Sequence, residues 1–314
     1  MTRIGVTVPR DIPIGDLIPF ARRAEQLGFD ELWTIEDCFF RGGFSQTATV
    51  LAVTTTIHVG IGIVPAAVRN AAFTALETAT LAELHPGRVT LGIGHGVTDW
   101  MKQVGVWPAS PLTMLSETLS SVRGLLRGDT VSVDGRYVSL DDVVLESAPS
   151  VVPDVLAGVR GPKSLEVASR LADGVVLAEP VTPEYLAAVR SLVGQDARIV
   201  AYDFAMIDDD RHAAVERLRP SMASMGERDL AAHIDPLPFA DELRALRASS
   251  TDAADFARRM PSEWIERLAI VGTPGDAAAR VAELADAGAQ SVVLLPIGHA
   301  MTALEGFGRV LAQL

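Results

Sequence analysis

The chain has 314 residues, of which 48% are hydrophobic and 21% are charged, and its formal net charge is −13. The apolar share excludes an intrinsically disordered chain. A surface this acidic repels phosphate backbones and anionic lipid headgroups, so we expect neither nucleic acid nor membrane as a partner. The single cysteine, Cys38, excludes an intrachain disulfide and a cysteine-based metal centre.

No targeting or anchoring segment is evident in the sequence. The first residues lead directly into an apolar strand-like run, without a charged leader. No apolar run approaches the roughly 20 residues that a membrane-spanning helix needs. We therefore expect a soluble, cytoplasmic protein.

Short segments rich in Val and Ile alternate with segments of helical period along the chain. The strand-like segments are continuous apolar runs, which is typical of parallel strands covered on both faces. Eight strands alternating with helices predict a (β/α)8 barrel, although local patterns leave a doubly wound open sheet as the alternative. The predicted strands are 4–9, 31–36, 58–64, 89–94, 153–158, 174–179, 198–206 and 291–296.

Two segments interrupt this alternation. Residues 129–147 alternate around Asp134-Gly135, which predicts a small antiparallel hairpin with a two-residue turn. Residues 207–265 are polar and helical and follow the seventh strand, at the end of a barrel where ligands bind, so we expect a helical lid. No linker or repeat divides the chain, and residues 1–314 are predicted to form a single domain.

Several catalytic signatures are missing from the sequence. The six histidines are too scattered for a metal-binding spacing, so we expect no metal site. There is no Gly-x-Ser-x-Gly elbow and no phosphate loop ending in Gly-Lys-Ser/Thr. The run Gly92-Ile93-Gly94-His95-Gly96 lacks the glycine spacing of a dinucleotide fingerprint, so a Rossmann site is excluded.

The remaining candidates lie where predicted strands end. Glu36 and Asp37 close the second strand, where carboxylates can orient a ligand or move protons; alternatively they cap the next helix or pair with Arg41. Trp100 and Met101 follow the fourth strand and are candidates for a substrate pocket, or for core beneath the hairpin.

Glycines interrupt two neighbouring strands near their ends. Gly60 and Gly62 lie within the third strand, and Gly94 lies at the end of the fourth. Glycine within a strand marks a bulge or a close approach to the backbone. A flat ligand against the main chain and tight packing inside the barrel both explain the pattern.

The segment after the fifth strand carries the clearest anion-binding signal. It reads Gly158-Val159-Arg160-Gly161-Pro162-Lys163-Ser164. Pro162 can begin a helix, whose first N–H groups and dipole attract anions. Arg160 and Lys163 add positive charge to an acidic protein. We expect a phosphate group here, with an ordinary strand-to-helix turn as the alternative.

Taken in order, these segments resemble the bacterial luciferase-like family of flavin- and deazaflavin-dependent oxidoreductases. The resemblance covers the chain except the 207–265 region. The segments that carry it are 31–37, 58–63, 84–94, 161–165, 172–177, 270–274 and 287–289.

The resemblance implies a (β/α)8 barrel that holds a flavin or deazaflavin at its carboxyl mouth, acts on a small organic substrate and forms a homodimer. It also implies that the cofactor phosphate lies at the start of the fifth helix and that a cis peptide bond between Gly62 and Ile63 supports the ring. The implied cofactor-binding residues are Gly62, Ile63, Val64, Gly94, His95, Gly158, Val159, Arg160, Gly161, Pro162, Lys163 and Ser164.

Within the family, the chain looks most like the methylene-tetrahydromethanopterin reductase branch, which favours coenzyme F420 over FMN. Glu36-Asp37 stands where several F420 enzymes have an Asp-His pair, and Val97 stands where some have a glutamate. These departures favour a reductase or monooxygenase over the sugar- and alcohol-oxidising members. A flavin-free lyase or isomerase acting on a phosphorylated metabolite, and a non-catalytic flavin-binding protein, are the alternatives.

Overall fold

The computed structural model describes residues 2–314. The strands are β1 (Arg3–Thr7), β2 (Glu31–Thr34), β3 (His58–Pro65), β4 (Val89–Gly94), β5 (Val131–Asp134), β6 (Ser139–Val143), β7 (Asp154–Gly158), β8 (Gly174–Leu177), β9 (Arg198–Ile207), β10 (Ile270–Gly272) and β11 (Ser291–Pro296). The α-helices are α1 (Leu17–Leu27), α2 (Gly43–Val53), α3 (Ala71–Leu84), α4 (Thr98–Gln103), α5 (Pro111–Leu126), α6 (Pro162–Leu171), α7 (Pro183–Val193), α8 (Arg211–Leu218), α9 (Ala231–Ile234), α10 (Ala240–Ser249), α11 (Ala253–Arg259), α12 (Ser262–Leu268), α13 (Pro274–Asp286) and α14 (Ala300–Leu311). Short 3-10 helices span Ile14–Asp16, Ala66–Val68, Arg219–Ser224 and Arg228–Leu230. In this range, no helix is both long and apolar enough to cross a bilayer.

Eight parallel strands close into a barrel in the order β1, β2, β3, β4, β7, β8, β9 and β11. Closure is visible at β9, which pairs with β8 through Val176 and Val200 and with β11 through Tyr202 and Val293. β11 in turn pairs with β1. The predicted (β/α)8 barrel is confirmed, and the open sheet is excluded because no strand of the eight has a free edge.

Local sequence explains where the helices begin and end. α1 places Leu17, Phe20, Ala21 and Ala24 on its buried face and ends at Gly28, whose φ of 89° is the left-handed conformation that glycine adopts most readily. α6, α7 and α13 each begin with proline, which lacks the N–H group that the first helical residue would leave unpaired.

The core consists of three clusters of buried apolar side chains. Outward-facing strand residues pack against the surrounding helices, and this cluster contains most of the buried side chains. A second cluster fills the barrel interior, with Trp33 and Tyr202 in contact edge to face at 5.5 Å between ring centroids. The helices between β9 and β10 bury a third cluster of their own.

The predicted hairpin is present as β5 and β6, but its turn is longer than expected. Asp134 pairs with Ser139, and the N–H of Gly135 donates to the carbonyl oxygen of Val138 at 2.9 Å. The loop therefore has four residues. Its shape is set by Glu117 on α5, whose carboxylate accepts backbone N–H groups from the loop, and no local pattern reveals that contact.

The helical insertion follows β9, as the sequence predicts. β9 continues to Ile207, the helices run from Arg211 to Leu268, and the chain then returns as the short strand β10. β10 pairs with the last residues of β9, Ile270 opposite Ala205 and Gly272 opposite Ile207. β10 escapes prediction from the sequence because three residues are too few to show a strand period.

Candidate active site

The candidate site lies at the carboxyl ends of the barrel strands. β3, β4 and β7 are neighbours in the sheet, so the predicted segments 62–64, 94–95 and 158–164 meet there. Nε2 of His95 lies 3.0 Å from Oγ of Ser164. The side chain of Ile63 fills the space beside Gly94 and Gly158. The structure therefore brings the expected cofactor-binding residues together on one side of the barrel mouth.

β3 ends in a bulge that directs Ile63 toward this side. Its pairing with β4 shifts register between Ile61 and Val64. Ile63 packs with the interior cluster, whereas Ile61 and Val64 pack with the helices outside. The peptide bond between Gly62 and Ile63 is cis, as the family resemblance implies.

Packing inside the barrel accounts for the glycines of β3 and β4. A Cβ atom on Gly60 would overlap the ring of Trp33, and one on Gly62 would overlap the hydroxyl of Tyr202. A Cβ atom on Gly94 would meet a carbonyl oxygen of β7 at 2.6 Å. Tight packing, one of the two explanations left open by the sequence, therefore accounts for the lack of side chains at these positions, because protein atoms already occupy the space beside these glycines.

The buried hydroxyl group of Tyr202 lies next to Gly62, in the bulge of β3. Its side chain is 4% exposed, and the hydroxyl has no hydrogen-bond partner in residues 2–314. Burial raises the pKa of this phenol well above its usual value, with further increases from Glu31 and Glu179. The phenol is therefore protonated and retains a free donor just beneath Gly62. No sequence pattern points to it, since Tyr202 lies within an apolar run.

The N terminus of α6 faces open space. Gly161 is its N-cap residue and supplies no side-chain cap. Apart from its chain neighbours, no residue lies within 4 Å of the place that a Cβ atom on Gly161 would take, and Lys163 is exposed. Arg160 lies beside this turn, half-buried, with Nη1 3.5 Å from the carbonyl oxygen of Asp229 in the insertion. The helix dipole and the cationic side chains of Arg160 and Lys163 are features that would attract an anion to this turn.

His95 links the end of β4 to this helix. Burial lowers the pKa of its imidazole, which a backbone interaction with Pro111 partly opposes. The ring is therefore neutral at pH 7, and its contact with Ser164 is a hydrogen bond between neutral groups. That contact fixes the first turn of α6 relative to β4.

Glu36 and Asp37 are held by arginines. The carboxylate of Glu36 forms a bidentate ion pair with the guanidinium of Arg69, in which Nη2 lies 2.9 Å from Oε2. Glu36 also accepts a hydrogen bond from the backbone N–H of Gly43 at 2.6 Å. Asp37 pairs with Arg10 at 3.1 Å rather than with Arg41. Each carboxylate would have to leave its partner in order to move a proton.

Trp100 and Met101 lie on α4 but differ in exposure. Trp100 is half-buried, whereas Met101 is fully buried. The sulfur of Met101 would lie 2.9 Å from a Cβ atom on Gly96, so it packs beneath the loop that follows β4. Only Trp100 has the exposed surface that a pocket-lining side chain needs.

Glu179 follows the carboxyl end of β8, and no sequence pattern identifies it as a candidate site residue. The sixth predicted strand extends to residue 179, but β8 ends at Leu177 and Glu179 follows it on the connecting loop. Burial raises the pKa of Glu179, and Asp37 adds to the increase, whereas the residue's own backbone N–H and the charges of Arg160 and Arg10 oppose it. A single acidic residue after a strand gives no sequence signal of its own.

The insertion contacts the β7–β9 side of the mouth. His233 on α9 donates from Nδ1 to the carbonyl oxygen of Pro180 at 2.8 Å, and its ring lies 4.2 Å from that of Tyr185. Phe204 and Met206, at the end of β9, pack against the apolar cluster of the insertion. The insertion is thus anchored to the strand ends by both polar and apolar contacts.

The opposite end of the barrel is closed by an ionic network. Glu31 is fully buried and accepts hydrogen bonds from Arg198 at 2.7 Å, Trp33 at 2.9 Å, Ser291 at 3.0 Å and Arg3 at 3.3 Å. A cavity of about 380 Å³ adjoins this network. Because Arg3 and Arg198, which line this cavity, are already paired with Glu31 and Asp154, we assign this end of the barrel to stability rather than to chemistry.

A closed (β/α)8 barrel is the architecture of a large class of enzymes whose active sites lie at the carboxyl ends of the strands. Comparison with known proteins identifies the family. The model of the luciferase-like monooxygenase family matches residues 1–291, and the chain belongs to that family.

Individual relatives agree with this assignment. The chain is 32% identical over 307 residues to 5,10-methylenetetrahydromethanopterin reductase of Methanolobus tindarius, with 93% of each chain covered. It is 24% identical to F420-dependent glucose-6-phosphate dehydrogenase of Microbacterium testaceum, covering 90% of this chain and 88% of that one. The coenzyme F420-dependent tetrahydromethanopterin reductase of Methanopyrus kandleri superposes with a TM-score of 0.82 at 20% identity, covering 99% of both chains.

Proposed function

We propose that this protein is a cytoplasmic F420-dependent oxidoreductase that reduces a small organic substrate at the carboxyl mouth of its barrel. Support comes from family membership and from relatives named as an F420-dependent dehydrogenase and a reductase. The observation that carries the proposal is the open, uncapped N terminus of α6, with Arg160 and Lys163 at its first turn.

The residues at the mouth fit a phosphate-bearing deazaflavin. The first turn of α6 would hold the phosphate through its N–H groups, Lys163 and the Ser164 hydroxyl. Ile63, in the bulge of β3, would contact the ring. The hydroxyl of Tyr202, which has no hydrogen-bond partner in residues 2–314, lies next to Gly62 in the same bulge. When bound, F420 supplies or accepts a hydride; the protein supplies position and polarity.

The insertion would exclude water from the reacting groups. Its anchoring through His233 and through the apolar ends of β9 places it beside Arg160, next to the proposed phosphate position. A covered mouth strengthens the electrostatic contacts made within it. In this role the helices between β9 and β10 act as the lid that the sequence predicts.

FMN is the second cofactor that this site can bind, because its phosphate group would need the same contacts with the first turn of α6. The description of the family as luciferase-like monooxygenases favours this alternative. The reductase of Methanolobus and the dehydrogenase of Microbacterium are named as oxidoreductases, which gives no support to a flavin-free lyase or isomerase.

The test is to titrate the protein separately with F420 and with FMN, following tryptophan fluorescence and cofactor absorbance. We expect F420 to bind at micromolar concentration. Lys163→Ala should weaken binding about 10-fold or more, because it removes a charge-assisted contact. Lys102→Ala is the matched control, since Lys102 lies on α4 and should leave the dissociation constant unchanged.

Other outcomes would redirect or end the proposal. Binding of FMN alone would make the protein an FMN-dependent oxidoreductase. Binding without turnover with any reductant or acceptor would favour a non-catalytic carrier. Binding of neither cofactor would contradict the proposal.

We also propose that two copies form a homodimer through α2 and α3. These helices pack on the barrel with one face, yet the outer face of α3 carries large apolar side chains as well as Glu77 and Glu83, with Phe73 66%, Leu76 49% and Leu84 68% exposed. Ala48 and Ala52 on α2 extend this surface with small residues. Large apolar side chains clustered on an exposed helix face mark an interaction surface, and a second copy of the same face would bury them.

A further inference from the structure

Large apolar side chains are exposed along one half of the barrel mouth. They lie in the connections that follow β1, β2, β3 and β4, which are consecutive strands of the barrel. We call this surface the apolar rim; its members, each between 38% and 67% exposed, are Ile14, Phe39, Phe40, Val68 and Val97. Among residues 2–314, the loops after β7, β8 and β11 and the insertion after β9 expose no large apolar side chain. Such a concentration on one side of the mouth marks a binding surface.

The apolar rim lies across the mouth from the cationic side chains of α6. β1 stands four strands from β7 in either direction around the barrel, and β2 follows next to β1. Ile14 and Phe39 therefore belong to the half of the mouth opposite Arg160 and Lys163, which follow β7. An anionic group bound at the first turn of α6 leaves the rim to a group of different chemistry.

The charged side chains next to the rim are engaged with each other. Glu36 is paired with Arg69, and Asp37 is paired with Arg10 at 3.1 Å. Nη1 of Arg41 donates to the carbonyl oxygen of Arg10 at 3.0 Å. A ligand in contact with the rim therefore meets paired charges and free apolar surface, so binding there depends on the burial of apolar area.

The rim side chains project from ordered turns. The guanidinium carbon of Arg10 lies 5.0 Å from the centroid of the Phe40 ring, and the N–H of Phe40 donates to the carbonyl oxygen of Asp37 at 2.9 Å. Val97 is the N-cap residue of α4, and its carbonyl oxygen accepts the N–H of the buried Met101 at 3.0 Å. A surface that is already ordered loses little entropy when a ligand binds.

We propose that the apolar rim binds the substrate, and that the substrate presents to it an uncharged aliphatic or aromatic group of several carbon atoms. The inference rests on the proposed function, which assigns the first turn of α6 to the cofactor and leaves the rim to the second reactant. Phe39 and Val97 are the specificity-determining residues, because each presents exposed apolar area at the mouth and neither has a charged group to offer.

Three other occupants agree less well with the position of the rim. The cofactor ring is expected at Ile63 in β3, whereas the rim extends to the connection after β1, the strand farthest from β7. A second copy seated on the rim would close the mouth that both reactants must enter. The net charge of −13 disfavours an anionic lipid surface.

The first experiment titrates 1-butanol, 1-hexanol and 1-octanol by ligand-observed NMR, without cofactor and with reduced F420, which cannot oxidise an alcohol. Affinity should rise about 2–4-fold for each added methylene group. 1,8-Octanediol should bind at least about 5-fold more weakly than 1-octanol, because its second hydroxyl would be buried without a partner. Equal affinity for the three alcohols would overturn the proposal, as would displacement of 1-octanol by F420, which would assign the rim to the cofactor.

The second experiment repeats the titration with variants of the rim. Phe39→Ser and Val97→Ser should each weaken 1-octanol binding about 3-fold or more and affect 1-butanol less, whereas Phe39→Leu should retain most of the affinity. Serine is a favourable N-cap residue, so Val97→Ser keeps α4 intact. Val144→Ser, at an exposed apolar position outside the rim, is the matched control and should equal wild type. Unchanged 1-octanol affinity in both rim variants would overturn the proposal.

Further outcomes separate this inference from the function on which it rests. A mass that falls in Phe39→Ser, measured by light scattering, would assign the rim to a second copy, and sedimentation of wild type with phosphatidylcholine vesicles would assign it to a lipid surface; either overturns the inference. A protein that binds F420 but none of the alcohols overturns the inference alone. A protein that binds the alcohols at the rim but neither F420 nor FMN contradicts the proposed function and supports the apolar site.

Discussion

His233 is a fully buried histidine whose environment makes stability depend on pH. Nδ1 donates to Pro180, whereas Nε2 has no partner in residues 2–314. Burial, together with the positive charge of Arg160, lowers the pKa of the ring to about 4. Below pH 6.5 the unfolded chain takes up a proton at this position that the folded protein cannot hold until about pH 4, so acid favours unfolding.

We predict that the contribution of His233 reduces the free energy of unfolding by roughly 2 kcal/mol between about pH 7.5 and about pH 5. His58 has a pKa lowered to about 4 for the same main reason and should add to the trend. Urea denaturation of wild type and His233→Gln at both pH values measures the difference. In His233→Gln, the free energy of unfolding should depend less steeply on pH, by the equivalent of about one bound proton. The exposed variant His212→Gln is the control and should keep the wild-type dependence. The same dependence on pH in all three proteins would contradict the burial argument.

Gly62 and Tyr202 form a contact that a double-mutant cycle can test. Gly62→Ala should destabilise the protein by about 1–3 kcal/mol, because the new methyl group overlaps the Tyr202 hydroxyl. Tyr202→Phe removes a buried, unpaired hydroxyl and should be neutral or slightly stabilising. The double variant should recover part of the loss, as measured by urea denaturation. Strict additivity would show that the two groups do not meet.

The hairpin β5–β6 depends on one side chain of α5. Glu117 accepts the N–H groups of Arg136 at 2.9 Å, Tyr137 at 2.8 Å and Val138 at 2.9 Å, which otherwise have no partner in the loop. Glu117→Ala should therefore speed amide hydrogen exchange across residues 131–143 while leaving the barrel strands protected. Glu117→Gln keeps an acceptor and should show a smaller effect. Unchanged exchange in Glu117→Ala would contradict this role.

The elements that sequence predicts well are those with a sustained period. The eight barrel strands are predictable because each is an apolar run bounded by helical segments, and the start of α6 is predictable because proline follows glycine there. β10 and the four-residue hairpin loop are not, because one is too short for a period and the other is set by Glu117 from a distant part of the chain.

The site is predictable in part for similar reasons. The strand-to-helix turn after the fifth predicted strand identifies Ser164, the family resemblance adds His95, and the two residues meet in the structure. Tyr202 and His233 carry no such signal, because each matters through a buried polar atom without a hydrogen-bond partner in residues 2–314, a property that exists only after the strands assemble. The ion pairs of Glu36 and Asp37 likewise depend on arginines from other loops.

For the whole molecule, the apolar outer face of α2 and α3 predicts a dimer that charge can disrupt. Phe73→Glu and Leu76→Glu should shift the protein toward monomer, as measured by light scattering after size exclusion, because each would bury a charge at the interface. Val104→Glu, at another exposed apolar position, is the control and should leave the mass unchanged. A wild type that is monomeric at all concentrations would rule out this assembly.

Lys163 and Lys102 are the only lysines in the sequence. Lys163 stands at the first turn of α6, while the Lys102 side chain is 60% exposed on α4. Acylating reagents that target primary amines would therefore modify very few positions, one of them at the proposed phosphate site. Mass spectrometry could then report occupancy directly: protection of Lys163 relative to Lys102 would reveal which ligands in a metabolite mixture enter the barrel, whatever reaction those ligands undergo.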